Sequence, residues 1–408
     1  NSRFMEGMMG VKARFEMGVD EQETPGFFRK YFVELPRLAY VGLNLGWQFY
    51  SIDNRVKHFM DIYTTMYKKY EQFDFSAAPA HKCVEVYNEL VTKVLGNWKA
   101  PIINDFMAMI FYGILKSLIK SWNLDNDGSL QNDLMAGQGD VESTLPMKSL
   151  QKMARHIQGN PRLMEIFKAN DPAALKKMFV GAPRSDDPPE IAEIRARIAA
   201  YLAEYGYRAM NELKLEEPSL NEKPEFVFSM LKNYAAGPIA PETDSHDRER
   251  KIREQAEKNV EEALRGQKIL GCIPKISVLK FVTNFAKKAV RFREYQRFAR
   301  TKMYGLARRI FMGIGHRFVE RGLLCEVNDI FYLKKDEIIS YVVGSACSQR
   351  LKEIAAIRKA EFAEYAAMEE LPDRIETHGV VYTNDLTQSA LKVAQSDDPN
   401  MLRGIGGC

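Results

Sequence analysis

The sequence predicts an all-α fold, an irregular multi-helix bundle of two lobes with one long basic helix and at most a minor β element near the C-terminus. Three observations predict it. Apolar residues recur at i, i+3, i+4 spacing through most of the chain. Proline, glycine, asparagine and aspartate cut it into helix-length segments, not short alternating strands. Finally, Lys287–Arg309, KKAVRFREYQRFARTKMYGLARR, has no proline and a single glycine, so nothing in it forbids a continuous helix from about Ile276 to Arg321.

Taken in order, residues 1–20 are Met- and Gly-rich and fit a helix leaving an earlier domain. Residues 26–70 are aromatic throughout, and Pro36, Gly42 and Gly46 are expected to divide them into two or three short helices. Val84, Tyr87, Val91 and Val94 mark an amphipathic helix over Ala80–Leu95. Pro101 suits the first turn of the next helix, which runs to about Trp122. The apolar run Phe106–Ile119 is too short for a membrane span of about 20 residues and is interrupted by Lys116. A polar break follows at residues 123–140. Helices resume at Leu150 and Arg162, and Pro172 opens another with Asp171 or Asn170 as N-cap. GAPRSDDPP, residues 181–189, is the expected lobe boundary. It separates an aromatic- and Met-rich lobe at 1–180 from a lobe at 181–400. Residues 191–213 read as one long helix and 216–226 as a connector. Residues 247–267 read as a solvated helix of mixed charge, turned by GCIP at 271–274 into an antiparallel hairpin with the basic helix. A last helix spans about Ser348–Glu370 before Pro372. VVYTN at 380–384 is the β candidate, and 401–408 reads as the start of a linker.

Composition excludes several classes. A net charge of +4 is too mild to demand a nucleic acid. Five cysteines without a CxxC pair predict reduced thiols and a cytoplasmic location rather than a disulfide framework. Six scattered histidines offer no zinc ligand set, and His316 suits a packing or helix-end role better than catalysis. No Walker loop, GxGxxG, HExxH or GxSxG motif occurs.

The basic helix carries the chemistry. Lys287–Arg309 has nine Lys or Arg and one acid, Glu294, for a local charge of +8. At about 100° per residue, Phe292, Ala299, Met303, Leu306, Ile310 and Ile314 share one face. Arg293, Arg297, Arg300, Tyr304 and Arg308 form a neighbouring stripe. Two readings fit: a solvated basic face, or a clamp whose guanidinium forks meet the oxygens of a phosphate. A nucleic-acid surface is a weaker third, because aromatic platforms lie elsewhere. Arg208 and Glu212, at i, i+4 on an apolar helical pattern, are either a structural tie or site residues.

Several stretches, in order, resemble a known family. YGYRAMNELKLEEPSLNEKPEF resembles the YGxRxxxExDLxxPxWxExP segment of rifampin phosphotransferases and related phosphoenolpyruvate-synthase-like, PEP-utilising proteins. RFREYQRFARTKMYGLARRIF and GLLCEVNDIFYLKKDEI are similar to their RExxR/K helix and DIFYLTxxEL segment. NDLMAGQGDVESTLPMKSLQKMA, LPDRIETHG and the final GIGGC resemble the segments around these. The resemblance runs from about Tyr40 to Cys408. It implies an ATP-dependent phosphotransferase in which an ATP-grasp domain, using ATP and Mg, phosphorylates a histidine on a swivelling domain. That carrier then delivers the phosphoryl group to the helical domain represented here. The resemblance places the ATP-grasp and phosphohistidine domains elsewhere in the same polypeptide, with no cofactor and no catalytic histidine in this chain. It assigns phosphate or substrate contact to Arg293 and Arg297, with Arg300 as a third, and a pocket or structural role to Arg208 and Glu212. The remaining charges of the helix are expected to be solvated. The implied acceptor is a small, apolar molecule held in a pocket of the 1–180 lobe, with no membrane partner. Leu213 and Lys214 stand where the family has an acid, and Leu220 where it has Trp. The different-class alternative is a non-enzymatic scaffold whose basic helix binds a protein or nucleic acid.

Overall fold

The computed structural model describes residues 35–368, apart from 126–127, 137–144, 182–186, 210, 212 and 239–241, together with 375–376 and 387–388. Fourteen α-helices occupy these residues, and the only sheets among them are two two-stranded pairs. The all-α reading holds.

The first four helices are α1 (Leu35–Tyr50), α2 (Ile52–Tyr70), α3 (Ala80–Lys93) and α4 (Lys99–Ser121). Gly42 and Gly46 do not break α1 as expected. A helical glycine costs only about 1 kcal/mol relative to alanine, and Pro36 sits in the first turn, where no backbone donor is lost. The stretch Ala80–Ser121, which holds α3 and α4, is long and apolar enough to cross a membrane by length and composition. Within it, Ile103, Met107, Ala108, Leu115 and Ile119 of α4 are buried. A short helix, α5 (Leu130–Met135), follows.

The middle of the chain forms α6 (Leu145–Gln158), α7 (Pro161–Ala169), α8 (Pro172–Phe179), α9 (Pro189–Tyr205) and α10 (Glu225–Ala236). Asn160 caps α7, accepting from the amides of Arg162 and Leu163, and Asp171 caps α8, accepting from Ala174 at 2.7 Å. Near the start of α9, the buried Arg195 forks onto Asp187 at 2.8 and 3.2 Å.

Next come α11 (Glu242–Ala263), a hairpin of β1 (Lys268–Ile269) and β2 (Ile273–Pro274), and α12 (Lys275–Glu320). The 46 residues of α12 match the expected basic helix within one residue at each end. Helix α11 runs antiparallel to the start of α12, as the pairs Glu261–Lys280 and Glu257–Lys287 record. Such exposed pairs contribute at most about 1 kcal/mol. Buried Ala256, Val260 and Leu264 do more to seat α11, since each large apolar side chain is worth about 1.5–3 kcal/mol. A 3-10 segment at Val327–Tyr332, α13 (Lys335–Val342) and α14 (Leu351–Ala367) complete the bundle. The expected strand at 380–384, the 401–408 linker and residues 1–34 lie outside the described residues; the described strands there are β3 (Ile375–Glu376) and β4 (Thr387–Gln388), antiparallel to one another.

Three apolar cores result. The largest joins α2, α3 and α4 to α12 from Ala289 to Phe318 and to the helices beyond. The second gathers α6–α10, running from Leu150 to Phe179 and on from Ile194 to Ala235. The apolar side chains thus group across position 181, and do not part there into the 1–180 and 181–400 lobes that the proline-rich stretch suggests. The third core joins the end of α4, α5, α11 and the start of α12.

Two expectations need correction. The helix read over 191–213 stops at Tyr205. There the chain folds back: Asn221 N–H donates to Gly206 O at 2.9 Å, and Leu220 N–H to Arg208 O at 2.8 Å. A Cβ on Gly206 would stand 2.0 Å from Asn221 Oδ1, so only glycine tolerates the fold-back. Second, the charges of α12 outside the predicted clamp are not all solvated. Arg308 is buried, pairing with Glu222 at 2.7 and 2.6 Å and donating to Leu215 O. Arg309 donates to the carbonyls of Glu71 and Phe73 at 2.6 Å each, and Arg317 to those of Ala78 and Ser76. Each of these residues caps carbonyls that no helix satisfies.

Candidate anion and acceptor site

The α12 face carrying Arg293, Arg297 and Arg300 opens on a cavity of about 260 Å³ against the N-terminal end of α4. Trp98, Pro101 and Asp105 form the opposite wall. The structure brings the three predicted arginines together, because positions i, i+4 and i+7 of one helix lie along one stripe. Arg293 Nε stands 3.6 Å from Asp105 Oδ1, and Arg297 Nη1 stands 3.9 Å from Glu294 Oε2. Both guanidinium groups are about half exposed. Arg300 Nε is buried and has no hydrogen-bond partner among the described residues.

Two wall residues were not singled out from the sequence. Asp105 is the one carboxylate in α4; burial raises its pKa, Arg293 and Arg300 oppose the shift, and Glu294 reinforces it. An acid isolated in an apolar helix was a readable signal. Gln296 gave none, being one polar residue among many. Yet it is only 3% exposed, lines the cavity, and neither Oε1 nor Nε2 has a hydrogen-bond partner among the described residues.

Arg297 also borders a second cavity, of about 590 Å³, between α12 and the core of α6, α9 and α10. Its wall is apolar over Met147, Leu150, Tyr201, Phe226 and Met230, and cationic at Arg208, Lys214 and Arg297. Burial pushes the Tyr201 phenol up to about 12, against the pull of the Arg208 charge. Arg208 thus reaches the site from the folded-back segment and not from a helix, so the expected i, i+4 helical geometry with Glu212 does not apply. Glu212 itself lies outside the described residues. The apolar lining comes from both sides of position 181, whereas Phe59, Tyr63, Tyr70 and Phe75 of the aromatic N-terminal half are spent on the largest core.

Two features hold the Arg208 segment on α12. At Gly305, an added Cβ would lie 2.9 Å from Tyr207 Cβ and 3.0 Å from its carbonyl oxygen, so the glycine admits the backbone. One turn on, Arg308 grips Glu222, which also accepts from Ser219 Oγ at 3.0 Å. Burial alone would raise the pKa of Glu222, but the hydrogen bonds and charge of Arg308 outweigh it and the net direction is down.

Residues 100–294 match the rifampicin phosphotransferase fourth-domain family. The chain is 23% identical over 271 residues to a rifampicin phosphotransferase of Streptomyces sviceus, covering 64% of this chain and 29% of that one. It is 21% identical over 315 residues to YvkC of Bacillus subtilis, an uncharacterized phosphotransferase, covering 76% and 36%. The chain is thus similar to rifampicin phosphotransferases through its middle part. The aligned part of the chain spans about a third of the length of these curated relatives. The family match takes in Asp105, Arg208 and Arg293 but ends before Gln296, Arg297 and Arg300. Among the described residues, no group of three or more His, Cys, Asp or Glu side chains is placed to hold a metal ion.

Proposed function

We propose that this chain is the acceptor-binding part of an ATP-dependent phosphotransferase that works through a phosphohistidine carrier. ATP and Mg would be used by another part of the same polypeptide. The observation that carries the reading is the convergence of Arg293, Arg297 and Arg300 on one cavity, with an apolar cavity joined to it at Arg297. Phosphoryl transfer proceeds through a loose transition state, so positioning and charge compensation are what an acceptor domain must supply. In the step itself, the P–N bond of the carrier breaks and a P–O bond to the acceptor hydroxyl forms. The hydroxyl proton ends on the imidazole nitrogen that loses phosphorus. Arg293 and Arg297 would hold the phosphoryl oxygens, and Asp105 would keep Arg293 in place.

The scaffold alternative is less well supported. A nucleic-acid surface needs many cations facing solvent, and Arg308, Arg309 and Arg317 are engaged by Glu222 and backbone carbonyls. In the full-length polypeptide, Arg293→Ala combined with Arg297→Ala should abolish acceptor phosphorylation and spare histidine phosphorylation. Undiminished transfer to the acceptor would sink the reading.

A further inference from the structure

We propose that Asp105 is the general base of the transfer step, taking the proton of the acceptor hydroxyl as the P–O bond forms. The inference rests on the phosphoryl-grip reading of Arg293 and Arg297 and adds a catalytic residue to it. Asp105 reaches the 260 Å³ cavity from α4, on the wall opposite the arginines of α12. Its side chain is 53% exposed, and since that side chain is mostly carboxylate, oxygen surface is open to a ligand. Among the described residues neither oxygen accepts a hydrogen bond, for Arg293 Nε stands at 3.6 Å, beyond hydrogen-bonding distance.

An attacking hydroxyl has two needs at once. Its oxygen must reach a phosphorus whose oxygens the guanidinium groups hold, and its proton must leave toward a base. Arginine is permanently protonated and cannot take it. The other carboxylate lining the cavity, Glu294, stands on α12 among the arginines, 3.9 Å from Arg297. Asp105 is the carboxylate that faces them, on the side from which an acceptor approaches a phosphoryl group held on α12. Its basicity fits the role. A carboxylate whose only task is to hold an arginine has its pKa lowered by that charge. At Asp105 desolvation outweighs Arg293 and Arg300, Glu294 adds to the rise, and the group ends more basic than a free aspartate. A stronger base takes a proton more readily in the transition state. The step balances: the hydroxyl oxygen bonds phosphorus, and the P–N bonding pair returns to the imidazole. The proton passes from the hydroxyl to Asp105 and on to that nitrogen, which restores the carboxylate.

Single-turnover discharge of the full-length polypeptide tests this. Its histidine is first charged with labelled ATP and Mg, and transfer of the label to ethanol and to trifluoroethanol is then timed. Fluorine makes the second alcohol easier to deprotonate, so its attack depends less on a base. Asp105→Asn should slow transfer to ethanol about 100-fold and to trifluoroethanol about tenfold or less, with histidine charging unchanged. Asp105→Glu should recover part of the ethanol rate. Equal slowing toward both alcohols overturns the proposal, because a residue that merely holds Arg293 affects both alike. Discharge as fast in Asp105→Asn as in the wild type overturns it too, as does a wild type that transfers to neither alcohol. Should Asp105→Asn fail to fold, Asp105→Ser is judged by the same pair of rates. Arg293→Ala combined with Arg297→Ala separates the two readings. Undiminished transfer in that variant sinks the phosphoryl grip, whereas transfer lost there but kept in Asp105→Asn sinks the base alone.

Discussion

The two halves of the arginine stripe on α12 have the same residue type on the same helix and different surroundings. Toward the C-terminus, Arg308 stacks its guanidinium 4.7 Å from the Phe331 ring centroid and forks onto Glu222. Arg309 and Arg317 close onto the carbonyls of the α2–α3 connection. A cavity of about 380 Å³ lies at this end too, beside His81, Arg317, Arg321 and Tyr341, and there Arg317 is engaged by those carbonyls and by Glu320. Toward the N-terminus, Arg293 and Arg297 meet carboxylates at 3.6 and 3.9 Å, beyond hydrogen-bonding distance. The two ends thus differ in what surrounds the guanidinium groups: Glu222 and backbone carbonyls at one, a cavity wall at the other.

Arg308→Ala should produce the largest effect of those that test this contrast. It leaves Glu222 partly buried and unpaired, so urea unfolding should show a loss of about 3 kcal/mol. Arg293→Ala should change stability by less than about 0.5 kcal/mol. Similar losses would break the comparison. Gly313→Ala comes next, because its Cβ would lie 2.4 Å from Phe75 O, within the tied half. A loss of about 1–3 kcal/mol is expected there from overpacking. Gly305→Ala, between the halves, should cost less and instead weaken phosphate binding by displacing the Arg208 segment from α12.

The two carboxylates that face the stripe should respond to pH with opposite signs. Glu222 has a folded pKa below its unfolded value of about 4.3. Its stabilisation is therefore complete above that value and fades as pH falls through the folded pKa. Glu222→Gln should be less stable near neutrality and show a flatter acid limb in a melting-temperature profile. Asp105 is raised, so its folded form holds the proton longer and its ionisation costs stability as pH rises through the folded pKa. Asp105→Asn should remove that small decline. The smallest expected effect is chemical. Burial pushes the Cys83 thiol up to about 11, beside Arg317, while Cys272, Cys325 and Cys347 are exposed. A thiol reagent should label those three in the native protein and reach Cys83 only on unfolding.

Much of the fold was legible because it depends on local pattern. Pro274 and the apolar face from Ala299 to Ile314 set the bounds and orientation of α12, and Asp171 was recognisable as an N-cap. What was not legible depends on distant partners. Gly206 ends α9 through a close approach to Asn221, which no helical propensity encodes. Arg297 and Arg308 are indistinguishable in sequence until Glu222, 86 residues from Arg308, arrives beside one of them. Gln296 looks solvated in a charged helix, and only the packing of α4 against α12 buries it.

Helix α12 belongs to all three apolar cores. Leu279 and Val282 enter the third, Phe298 packs on the second, and Ala289 through Phe318 enter the first. At about 1.5 Å per residue, its 46 residues make a rod of about 69 Å that no core can lose without exposing side chains of another. The consequence is thermodynamic: the three cores cannot melt as independent units, and the chain should unfold in a single cooperative transition despite its length.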